Sequence, residues 1–158
     1  MNNLYWFIGF IIVLALSRII PHPPNFTPII AVAIFAPRII NHIPTVICAT
    51  LLAMFIADIY WGLHSYMIWT YGSIALCTLL ATNMRLMTMS ILGPVLFFIV
   101  TNFAVWTSGY YGLTLTGLIA CYIAAIPFFY MTLLSTILYV FSFYMIEKMV
   151  ITQVKHRT

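Results

Sequence analysis

The sequence predicts an all-α integral membrane protein with six transmembrane helices and a short partial helix before the last span. Three observations predict it. The 158 residues are 65% hydrophobic and 5% charged, whereas a soluble domain carries about 25% charged residues, so no water-facing surface can be built from them. Mean hydropathy is +1.12. Polar and proline-bearing breaks cut the chain into apolar runs, many of them near the roughly 20 residues that cross a bilayer, within one domain over residues 1–158.

The first run, 4–20, lacks a basic leading region and is followed by Pro21-His22-Pro23-Pro24 rather than a small-residue cleavage site. It reads as a retained helix, not a secretory signal. Pro21 to Pro28 holds four prolines, which remove backbone donors and restrict their predecessors, so this stretch is a loop. The second span, 29–40, is short and is expected to be tilted, buried or partly broken. The third, fourth and fifth spans cover about 43–62, 66–82 and 89–107. Pro127 divides the last apolar stretch into 113–126 and 128–150. At 1.5 Å per residue the first piece rises only about 21 Å, less than the hydrocarbon core, which makes it a partial helix near the outer face.

With six crossings, Arg38, Arg85, Lys148, Lys155 and Arg157 lie on the side of the N-terminus, and Arg18 alone lies opposite. That asymmetry fits a positive-inside topology with both termini cytoplasmic.

Asp58 and Glu147 are the only acids, and Asp58 lies within an apolar run. An acid in lipid is costly unless it is paired or faces a cavity. In this topology Arg18, His22 and Asn25 lie at the outward end of the first hairpin. Asp58 and Trp61 end the third span one turn apart, with His64 just beyond, and Tyr66 and Trp69 begin the fourth. Asn102 and Trp106 share a face at the outward end of the fifth span, and Tyr110 and Tyr111 follow in the next loop. Trp6 is the one tryptophan placed inside. Belt residues would populate both interfaces alike, so the excess outside points to a pocket lined by Arg18, His22, Asn25, Asp58, Trp61, Trp69, Asn102 and Trp106. Taken singly, each has a plainer role: Trp as interfacial belt, Arg18 snorkelling, Asp58 tied to Arg18, Asn102 bonding between helices, His22 solvated in its loop.

Indole faces stack on flat rings, a guanidinium pairs with carboxylate or phosphate, and Asp and Asn read amines or amides. The pocket therefore suits a small vitamin-like or nucleobase-like solute. No enzyme is expected, because the chain holds no His-Glu-x-x-His, no paired carboxylates and no serine beside a base. No cofactor and no metal are expected, since the histidines at 22, 42, 64 and 156 fall on two sides. A net charge of +4 without a basic run excludes a nucleic-acid partner. Cys48, Cys77 and Cys121 are far apart and read as small apolar packing residues. Ala49, Ala53 and Ala57 form a smooth stripe for close helix contact, either within the chain or with a partner's helix. The second option would make the protein a non-transporting structural or accessory subunit of a membrane complex.

Four stretches carry a family resemblance: Ser17 to Pro28 (SRIIPHPPNFTP), Ala57-Asp58, Thr101 to Trp106 (TNFAVW) and Gly117 to Phe129 (GLIACYIAAIPFF). The chain resembles a small uncharacterised bacterial membrane family and, through the order of its elements, the substrate-binding S components of energy-coupling-factor vitamin transporters. The resemblance implies an S-component-like bundle in the bacterial inner membrane with both termini inside. It implies a pocket near the outer face that uses Asp58, Trp69, Asn102 and Trp106 and is closed by the Pro21–Pro28 loop. It also implies uptake driven by a separate membrane coupling subunit with two ATPases. The chain itself has no nucleotide-binding loop. It departs from the S components on helix one, where Gly9, Val13 and Ala15 do not form their Ala-x-x-x-Ala docking pattern.

Overall fold

The computed structural model describes residues 3–155, with side chains described for 7–150 and 152. The expectations placed on Trp6, Lys155, His156 and Arg157 concern side chains outside that description. Six α-helices follow in order: α1 Asn3–Ile19, α2 Ile29–Phe35, α3 Ile43–Trp61, α4 Met67–Ala81, α5 Leu86–Thr107 and α6 Leu115–Lys155. A 3-10 turn, Ala36–Arg38, extends α2, and the described residues contain no strand.

Three segments are long and apolar enough to cross a membrane: Ile43–Trp61, Leu86–Thr107 and Leu115–Val150. The apolar stretches Phe7–Ile19, Ile29–Arg38 and Met67–Ala81 are shorter. Ile12, Val13, Leu52, Ile91, Ile123 and Phe141 all stand exposed, as side chains do when the surrounding medium is lipid.

The segment expected to span at 29–40 is instead the centre of the bundle. Its sequence, IIAVAIF, has no polar face, and a helix that is apolar all round is stable only when covered all round. All seven residues of α2 are buried, in contact with α3, α4, α5 and α6. At about 10 Å α2 alone does not match the thickness of a bilayer, yet the chain between α1 and α3 runs from one end of the bundle to the other, because both helices end at the Arg18–Asp58 contact. Gly93 lets α5 come close to it: a Cβ there would stand 2.7 Å from Ile34 Cδ1 and 3.3 Å from Ile30 Cγ2.

Proline does not divide the last helix as expected. The partial helix 113–126 and the span 128–150 are one continuous α6 with Pro127 inside it. Pro127 lacks the N–H that would bond the carbonyl four residues back, but within a bundle a single lost bond of this kind is tolerated where neighbours re-satisfy the backbone. Pro94 sits inside α5 in the same way. The Ala49, Ala53, Ala57 stripe is 2%, 0% and 0% exposed, so it packs within the chain and leaves no face there for a partner's helix.

Candidate functional site

Asp58 sits in the last turn of α3 with only 3% of its surface exposed. Its Oδ1 accepts from Arg18 Nη2 at 3.0 Å, and its Oδ2 accepts from Tyr71 Oη at 2.8 Å. His64 Nε2 stands 3.9 Å from Oδ2. One carboxylate thus joins the C-terminal ends of α1 and α3 to the first turns of α4. The backbone follows the same arrangement, because Trp61 Nε1 donates to the Arg18 carbonyl at 3.1 Å. Gly62, with φ 111, lets the chain leave α3 directly after this cluster.

Beside the cluster lies a cavity of about 380 Å³. Its polar wall is made by Arg18, His22, Asn25, Thr27, Thr70 and Thr132. Its apolar wall is made by Ile29, Ile30, Met54, Ile74 and Phe97, with Trp61 as its one indole. The loop between α1 and α2 supplies three of the polar groups. It is held folded by bonds from Phe26 N to the Pro23 carbonyl (2.9 Å) and from Thr27 N to the Asn25 carbonyl (3.1 Å). Asn25 takes φ 62, a left-handed conformation that asparagine tolerates better than most side chains. The Phe26 ring lies 5.9 Å from that of Tyr139 on α6.

A second hollow of about 120 Å³ shares Asn25, Phe97 and Thr132 with the first and adds Thr101 and Asn102. Two larger hollows of about 650 and 620 Å³ lie at the other end of the bundle, around Phe10, Ala36, Ile39 and Ile40. Apart from Arg38, 3.9 Å from Glu147, and Thr45, they are lined by apolar side chains. Binding sites combine an apolar body with a few convergent polar groups; of these four hollows the Arg18 cavity brings together the most polar side chains, and the Asn102 hollow beside it shares that character on a smaller scale.

The eight residues expected to share one pocket divide four ways. Arg18, His22, Asn25 and Trp61 line the same cavity. Asp58 stands behind it and acts on it through Arg18. Asn102 faces the smaller hollow, its amide donating to the Phe98 carbonyl at 2.8 Å. Trp69 and Trp106 line none of these hollows and instead flank Phe103, at 6.2 and 5.5 Å between ring centres. Trp106 also donates to the Thr114 carbonyl at 3.2 Å, fixing the turn between α5 and α6. The expectation that Asp58, Asn102 and Trp106 meet around one hollow is therefore replaced by a site closer to the first loop.

Tyr71, Thr27, Thr70 and Thr132 belong to the site and were missed. For Tyr71 a signal existed: a buried carboxylate has two oxygens to satisfy, and Arg18 reaches one. Thr70 and Thr132 gave none, since threonine in a membrane helix ordinarily bonds its own helix, as both do here through the carbonyls of Tyr66 and Phe128. Among the described residues no three His, Cys, Asp or Glu side chains gather as a metal site requires.

A protein-family model matches residues 1–157, and its description is a family of unknown function, DUF6580. No curated protein and no solved structure matches the chain.

Proposed function

The chain belongs to the DUF6580 family, and on that premise we propose that it is a substrate-capturing membrane subunit for uptake of a small vitamin-like or nucleobase-like solute. The observation that carries the reading is the Arg18 cavity, where six polar side chains converge in a chain that is otherwise 65% hydrophobic. A flat solute stacks on Trp61, while Arg18, His22 and Asn25 supply hydrogen bonds. The chain binds and does not catalyse.

A hollow lined in part by the loop after the first helix is in keeping with the resemblance to S components and supports this reading. In this reading energy for uptake comes from a membrane coupling subunit carrying ATPases, because the chain has no phosphate-binding loop of its own. The protein lies in the bacterial inner membrane with both termini cytoplasmic. In support, Arg38 stands beside Glu147, next to Lys148, and the 15 residues of α4 separate the Asp58 cluster from Arg85. Arg38, Arg85 and Lys148 therefore lie at the end away from the cavity, which supports positive-inside insertion. The accessory-subunit alternative rested on the alanine stripe, which is spent inside the chain.

Native mass spectrometry of the protein from its own membrane tests this. A small molecule is expected to remain bound and to disappear in Thr27→Trp, which fills the cavity from its loop, with membrane abundance unchanged. A stable partner subunit without any small ligand overturns the proposal in favour of the accessory role.

A further inference from the structure

We propose that the solute is an anion: a small organic acid whose carboxylate or phosphate is held by Arg18. The inference rests on the uptake reading for the site and adds the charge and polarity of its ligand. The cavity wall contains no acid. The chain has only two, and neither is free to meet a cation. Asp58 is buried and holds Arg18 and Tyr71, and Glu147 lies beside Arg38 at the other hollow. An ammonium group entering the cavity would give up hydration without meeting a counter-charge.

Arg18 has the opposite character. A guanidinium carries five N–H donors in a planar fork, and among the described residues its side chain bonds only to Asp58 Oδ1, through Nη2. It lines the cavity with donors left over, its side chain 24% exposed. Asp58 is thus a positioning residue. Its one bond to Nη2 anchors the guanidinium and leaves the remaining donors to a second acid, which the fork binds in a directional, charge-assisted manner.

The cavity's remaining polar wall meets the rest of the solute. Thr70 and Thr132 spend their hydroxyl protons on the Tyr66 and Phe128 carbonyls, so they offer the cavity lone pairs. His22 donates from Nδ1 to the Ile20 carbonyl at 2.6 Å, which leaves its Nε2 for the solute. Acceptors on this wall call for N–H or O–H groups. Ile29, Ile30, Met54, Ile74 and Phe97 call for an apolar body between the two ends. A cavity of about 380 Å³ equals the liquid volume of about a dozen waters, which limits the solute to a single-ring or two-ring molecule.

The test measures binding of matched probes to the detergent-purified protein by calorimetry and thermal unfolding. Indole-3-acetate is compared with indole-3-acetamide and tryptamine, and nicotinate with nicotinamide and 3-aminomethylpyridine. The acid of at least one set is expected to bind about tenfold or more tightly than its amide, with the amine weakest. Removing Arg18 alone strands Asp58, so the variant is the neutral pair Arg18→Met with Asp58→Asn. It is expected to keep a cooperative unfolding transition and lose the preference for the acid.

Equal or better binding of amide or amine overturns the inference, as does an acid preference that survives in the double variant, or no response to either acid. Reconstitution separates the two sources of anion: stabilisation by phosphatidylglycerol nanodiscs and by neither soluble acid assigns Arg18 to a lipid headgroup and overturns the solute. A neutral or cationic ligand retained from the native membrane overturns the anion while sparing the uptake reading. Acid preference in a protein whose loss leaves cellular uptake unchanged does the reverse.

Discussion

At the scale of single residues, Asp58 is tolerable at 3% exposure because both of its oxygens are used inside the protein. Asp58→Ala strands the Arg18 guanidinium and the Tyr71 hydroxyl. It is expected to cost about 3 kcal/mol, seen as a lower midpoint in SDS unfolding, with part of the loss restored by adding Arg18→Met. Tyr71→Phe removes one hydrogen bond and costs about 1 kcal/mol in the same assay. Of this cluster, the Arg18–Asp58 pairing was legible, because an acid and a base at one depth of an apolar chain have few other partners. The need for a second donor to Asp58 was legible too, but not that Tyr71 supplies it, because a tyrosine near a membrane surface looks like any belt residue. Trp69 and Trp106 were misplaced for a related reason: sequence fixes the face of a helix they occupy but not which neighbour that face meets.

At the scale of elements, the contact between α2 and α5 depends on an absent side chain. Gly93→Ala places a methyl 2.7 Å from the end of Ile34, a residue only 1% exposed. A buried isoleucine has little room to turn away, so the variant is expected to lose about 1 kcal/mol of stability and Gly93→Val more. A double-mutant cycle with Ile34→Val checks this, since trimming the clashing methyl should return part of the loss. Element boundaries were readable where polar residues interrupt the chain: α3 and α4 end within one residue of expectation. Proline misled at position 127. In water a proline inside a helix commonly marks its end, but in an apolar bundle no water waits to take the freed carbonyl, and the helix continues. The brevity of 29–40 was visible; that it is buried on every side was not, because short apolar runs give no period by which to tell core from span.

At the scale of the whole molecule, composition gave an all-helical chain with helices apolar enough to cross a membrane, and the orientation drawn from its charges is open to a direct test. Green fluorescent protein fused after Thr158 is expected to fluoresce, and alkaline phosphatase at the same place to remain inactive, as a cytoplasmic C-terminus requires; the opposite pair of results places that terminus outside. The chain also has an assembly problem of its own. An insertion machinery releases helices sideways into lipid one or two at a time, each on the strength of its own length and greasiness. At seven residues α2 has too little of the first to be released in that way, and its place is bounded by helices that follow it in synthesis, α6 among them. It must wait, and the chain emerging from the ribosome therefore matures from its end backwards. Truncation before Leu115 should leave fragments whose early segments are extracted and degraded, whereas supplying α6 as a separate polypeptide in the same cell should rescue them.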